Sequence, residues 1–202
     1  MKKIIIVSIS LCIIVTVISA ITYSKNIKTP YEFGQLQRNV NENTKDNKIL
    51  VSVNKEGISD RQIETYMALS ADGLTKEEAK QKLINDRLLI QNAKKKGIVV
   101  SDEEVKQYID ESKQYQNDNP ELAQPIYDYI AGLGITEDEY WNMMEPSIKE
   151  RMYIGKLKKQ LRTDFEQQYT YKNSKNAVQF EEYVMKYVNQ LKEQAVIVDY
   201  EE

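Results

Sequence analysis

Residues 77–109 read EEAKQKLINDRLLIQNAKKKGIVVSDEEVKQYI, and the spacing of apolar residues in this stretch decides the fold class. Ala79, Leu83, Leu88 and Ala93, with Ile84 and Ile90 beside them, recur at helical intervals and give residues 76–96 a broad apolar stripe. Thr75 and Glu78 form a capping box at the start of that helix. Lys94, Lys95 and Lys96 suit its carboxyl end, where cations meet the negative pole of the helix dipole, and Gly97 suits the position just past it. A lysine run can also bind anions, but the helix-end role accounts for it more simply. Ser101 and Glu104 form the next box, and Val105, Tyr108, Ile109 and Tyr115 continue a further helix.

The same two signals, caps and apolar period, extend in both directions. Toward the amino terminus, residues 49–53 (ILVSV) read as a short strand, residues 54–57 as a turn, and Ser59 with Gln62 as the start of a helix reaching about Leu69. Toward the carboxyl terminus, residues 117–120 break the chain. A short helix follows over about 121–131, closed by Gly132 and Gly134. Thr136 and Glu139 open a long helix with Tyr140, Met143 and Met144, then Ile148, Met152, Leu157, Leu161 and Phe165. Pro146 is expected to kink or split it, because proline lacks a donor and crowds the preceding turn. Residues 169–176 are a polar break, and 177–194 are helical again. Residues 195–199 (AVIVD) are prone to β structure, and an isolated strand leaves its backbone groups without partners. Pairing them with 49–53 is the economical solution. The expected fold is mainly α, an elongated helical module closed by a small sheet of its amino- and carboxyl-terminal strands.

The first residues point to an address. Met1-Lys2-Lys3 precedes an uncharged run from 4 to 21, IIIVSISLCIIVTVISAI. As a helix this would reach about 27 Å, at the lower edge of a membrane span and longer than most signal-peptide cores. Lys2 and Lys3 favour an inside amino terminus and an outside body. Residues 1–22 are therefore expected as a signal-anchor or a cleaved signal peptide. The anchor implies a single-pass cell-membrane protein held through residues 4–21 with its body on the extracytoplasmic side; cleavage implies secretion. Residues 23–48, rich in Asn, Lys and Glu, are expected as a flexible linker, and 49–202 as the helical domain.

Composition excludes much chemistry. The chain has no histidine, which removes the commonest general base and zinc ligand. Its one cysteine, Cys12, lies inside the apolar run, so the body has no disulfide. No glycine-rich phosphate loop is present, and most Asp and Glu sit at helix starts, where they favour the dipole. No catalytic residue, cofactor or metal is expected. The formal charge of −3, moving to −5 without Lys2 and Lys3, does not suggest nucleic acid. The unusual feature is tyrosine, with 14 copies against one tryptophan and three phenylalanines. Tyrosine offers an apolar face with a polar tip, and methionine adapts its shape to a partner. Tyr108, Tyr115, Tyr140, Met143, Met144 and Met152 are the expected polypeptide-binding residues. Core packing accounts for each of them singly.

Three motifs resemble known proteins in order and spacing: VSVNKEGIS at 51–59, the 77–109 stretch, and GITEDEYWNMM at 134–144. With the terminal AVIVDY at 195–200, they resemble the chaperone module of the SurA and PrsA families of extracytoplasmic folding factors. The resemblance implies an ATP-independent chaperone or holdase that binds unfolded or exported polypeptides. Relatives of this kind often insert a parvulin-type prolyl isomerase domain before the last helix; the short connection after Phe165 leaves no room for one, so no isomerase activity is implied. The alternative is a non-enzymatic envelope adaptor or structural protein that binds a specific folded partner, or a homodimer formed by exchanging helices.

Overall fold

The computed structural model describes residues 28–44, 47–70, 73–168 and 176–201. Among them the chain runs α1 (Pro30–Asn43), β1 (Ile49–Val53), β2 (Glu56–Ser59), α2 (Asp60–Ala68), α3 (Lys76–Lys95), α4 (Asp102–Asp118), α5 (Pro120–Leu133), α6 (Glu137–Gln168), α7 (Asn176–Gln194) and β3 (Ile197–Asp199). The protein is mainly helical with one small, open three-stranded sheet, as the apolar period predicts.

The caps set the helix starts. At α3, Glu78 N–H donates to Thr75 Oγ1 at 3.3 Å and Thr75 N–H donates to Glu78 Oε2 at 2.9 Å. The same reciprocal pair forms between Ser101 and Glu104 at α4 and between Thr136 and Glu139 at α6. A further box, Thr29 with Glu32, opens α1 behind Pro30. Here the structure differs from the expected linker over 23–48, since residues 30–43 are helix. Their polar composition hides a buried strip of Phe33, Gly34 and Gln37, which packs on α5.

The sheet order is β2-β1-β3, and both neighbours run antiparallel to β1. Val51, Ser52 and Val53 pair with Asp199, Val198 and Ile197, so the two ends of the body meet in one sheet as expected. The turn before β2 is tighter than the 54–57 expected. Asn54 and Lys55 both take positive φ, 49° and 74°, which makes a two-residue hairpin and frees Glu56–Ser59 to pair. Gly57 is not needed for that turn. Its missing Cβ makes room for Ile49, whose Cδ1 would lie 2.7 Å from one.

The described residues form two packed units. Unit 1 takes the described part of 1–48 with 60–79 and 101–145; unit 2 takes 49–59, 80–100 and the described part of 146–202. In unit 1, Ile63, Val105, Ala123 and Ile130 are buried. Unit 2 is centred on Ala93, Leu157, Leu161, Phe165, Phe180 and Val188. α6 runs unbroken through Pro146, with long helical flanks on both sides. The boundary between the units nevertheless falls at this residue.

The membrane expectation is corrected. Among the described residues no helix is long and apolar enough to cross a bilayer. α3, α6 and α7 have the length, at 20, 32 and 19 residues, but too much charge. Residues 4–21, on which the transmembrane helix, the membrane partner and the single-pass cell-membrane location rested, lie outside the described residues, as does the whole 1–22 leader.

Candidate functional site

The six side chains expected to contact a polypeptide fall in unlike settings. Five belong to unit 1. Tyr108, on α4, is only 8% exposed. Tyr140, in the first turn of α6, stands edge-on to Tyr129 at 6.2 Å between ring centroids and to Trp141 at 5.3 Å. Burial pushes the Tyr140 hydroxyl up to about 12, and the nearby Tyr108 adds to the rise. Burial raises Tyr129 as well; its hydroxyl donates to Gln37 Oε1 on α1. Tyr115 and Met144 are half-buried, while Met143 is 36% exposed. Met152 lies on the part of α6 that belongs to unit 2 and is half-buried there.

The structure thus sets Tyr140 in an aromatic cluster with Tyr129 and Trp141, with Tyr108 close enough to influence its hydroxyl, and leaves Met152 in the other unit. Trp141, in the cluster, and Gln37, which accepts from Tyr129, lie outside the six expected residues. Trp141 was visible beside Tyr140 in the EDEYW motif; its indole N–H donates to Glu137 at 3.3 Å. Nothing in the polar sequence of α1 distinguishes Gln37.

Unit 2 has a different surface. Ile98, Val99, Lys156, Lys159, Gln160 and Thr163 line a shallow depression of about 400 Å³. Lys156 Nζ donates to the Val99 carbonyl at 2.7 Å, which ties the segment after α3 to the middle of α6. Lys94 Nζ lies 5.5 Å from the Tyr153 ring centroid, and the Arg162 guanidinium lies 3.7 Å above the Phe180 ring. Deeper in this unit, desolvation raises the Asp86 carboxyl above its ordinary range against the pull of Arg151 and Lys158.

No cluster of three or more His, Cys, Asp or Glu among the described residues could hold a metal. Only residues 169–175 separate α6 from α7, so no isomerase domain is inserted there. Capped helices, a small terminal sheet and packed aromatic side chains make up a helical module, and no metal-holding cluster is found among its described residues. A model of the SurA-like N-terminal domain family matches residues 1–158, and the chain belongs to that family. The matched residues end within α6, so α7 and β3 lie beyond them. No curated protein and no solved structure matches the chain.

Proposed function

We propose that this protein is a non-enzymatic adaptor of the cell envelope, a SurA-type module that holds a particular polypeptide partner outside the cytoplasm, in preference to a holdase serving many unfolded clients. The family assignment supports a polypeptide as the ligand. Lys2 and Lys3 ahead of the apolar run 4–21 support export. The observation that carries the choice of adaptor is the placement of the aromatic residues. Tyr108, Tyr129, Tyr140 and Trp141 pack into unit 1 rather than lining an open cradle. A broad holdase needs accessible apolar and aromatic surface that can re-pack around unlike segments. A surface with a rigid aromatic interior suits one complementary partner. On unit 1 the contact falls to the exposed Met143 and the half-buried Met144 and Tyr115, while Tyr108 and Tyr140 are packed inside; Met152 belongs to unit 2 and is left out of that contact.

Crosslinking of the full chain in its native envelope, followed by quantitative mass spectrometry, tests this reading. One partner at near-equal stoichiometry is expected. Many unrelated exported proteins, together with suppression of aggregation of an unfolding substrate at a several-fold excess of chain, would sink the adaptor in favour of the holdase.

A further inference from the structure

We infer that unit 2 carries a docking site for an acidic polypeptide segment, centred on Val99 and the depression between the end of α3 and the middle of α6. This rests on the polypeptide-binding reading above and names the chemistry of the partner. The formal charge of −3 for the whole chain conceals a division. Among the described residues, unit 1 holds seven Lys and Arg against eighteen Asp and Glu, a net of −11; unit 2 holds fifteen against ten, a net of +5. A positive unit in an acidic protein attracts negative partners and orients them toward one part of the molecule.

Two basic residues, Lys156 and Lys159, line the depression, and Lys95 and Lys96 directly precede its Ile98 and Val99 in the chain. Lys95, Lys96 and Lys159 are exposed and have no ion-pair partner among the described residues. Lys156 is held against the Val99 carbonyl and forms a fixed wall. Val99 itself is 68% exposed, the most exposed large apolar side chain among the described residues. Helix-end electrostatics account for Lys94 and Lys95, which lie in the last turn of α3, but not for Lys159 in mid-helix or for a valine left in water. Lysines around an apolar residue and a depression fit an extended acidic segment that places one apolar side chain against Val99. Lys159, Gln160 and Thr163 lie past the residues matched by the family model, so this surface extends beyond what the family match covers.

The test uses the full chain and two labelled peptides of about a dozen residues, one of Glu, Asp and Gly around a central Leu, the other with Lys replacing the acids. Fluorescence anisotropy should detect the acidic peptide alone, with binding roughly tenfold weaker when salt is raised to about 0.5 M. A Lys95→Glu, Lys96→Glu, Lys159→Glu variant, checked as folded by circular dichroism, should bind it roughly tenfold more weakly or not at all. Equal binding of the two peptides, or unchanged binding by the variant, overturns the proposal. So does binding to vesicles containing phosphatidylglycerol that the variant loses while no peptide binds, which would assign the patch to an anionic lipid surface. If the variant fails to bind peptide differently from wild type yet still crosslinks one stoichiometric partner, the proposal falls and the adaptor reading stands. If wild type captures neither a partner nor either peptide, both fall.

Discussion

Gly34 on α1 and Gly132 on α5 meet backbone to backbone: a Cβ placed on Gly34 would lie 2.9 Å from the carbonyl carbon of Gly132. The approach is mutual, since a Cβ on Gly132 would meet the Tyr31 carbonyl and, at 3.1 Å, the Gln35 nitrogen. Neither obstacle is a flexible side chain that could swing away. Gly34→Ala or Gly132→Ala should therefore push α1 off α5 and cost about 1–3 kcal/mol of stability, as overpacking does. Chemical denaturation measures the loss, and limited trypsin digestion at Arg38 should speed up as α1 loosens. Unchanged stability and digestion in both variants would mean that α1 is not docked in this way.

Tyr140 and Met143 lie three residues apart and should respond oppositely to truncation. Tyr140→Ala removes a ring from the cluster with Tyr129 and Trp141 and should cost about 3–5 kcal/mol. Met143→Ala, at a side chain already 36% exposed, should change stability by less than about 1 kcal/mol. Its effect belongs on partner binding, read by the yield of the crosslinked complex. A Met143→Ala variant as unstable as Tyr140→Ala would return that methionine to the core.

Asp86 should make unit 2 sensitive to pH. Desolvation raises its carboxyl above the ordinary 3.8, with Glu150 adding to the rise and Arg151, Lys158 and Lys82 opposing it. Between 3.8 and the raised value the folded state binds more protons than the unfolded state, so this group's contribution to stability falls as pH rises through that window. Asp86→Asn removes the ionisation. The variant should be more stable than wild type at pH 7, with the gap narrowing as pH drops toward 4, measured by urea denaturation at a series of pH values. A variant less stable than wild type at pH 7 would show that attraction to Arg151 and Lys158 outweighs desolvation.

Lys80 secures the carboxyl-terminal strand. Its Nζ donates to Asp199 at 2.7 Å and to Glu201 at 3.5 Å, and the lysine is buried. Every residue of β3 is exposed, so little apolar burial holds that strand in place. Lys80→Met should cost about 1–3 kcal/mol, less than breaking a fully buried pair because both carboxylates are about a third exposed. Amide hydrogen exchange at residues 197–201 should accelerate most. Exchange there at the wild-type rate would place the hold on β3 elsewhere, in its pairing with β1 or in the 3.1 Å contact between the Tyr200 and Ser52 hydroxyls.

What could be read from the chain alone was what depends on neighbours a few residues apart. Thr75 with Glu78, Ser101 with Glu104 and Thr136 with Glu139 start their helices because a cap and its reciprocal acid lie three residues apart in sequence. The apolar stripe of 77–109 marked two helices for the same reason: a helical period is a local property. Even the pairing of β3 with β1 followed, since a short strand must find a partner and one other candidate existed. Tertiary structure alone decided the remainder. α1 is a helix of the body because two glycines let it reach the α5 backbone, a fit that polar composition conceals. Tyr108 and Tyr140 turned inward, and Val99 outward, although residue type favoured the tyrosines as the accessible surface. The separation of a negative unit from a positive one was likewise invisible along the chain, because each unit is assembled from three separate segments and charge adds up in space, not in sequence.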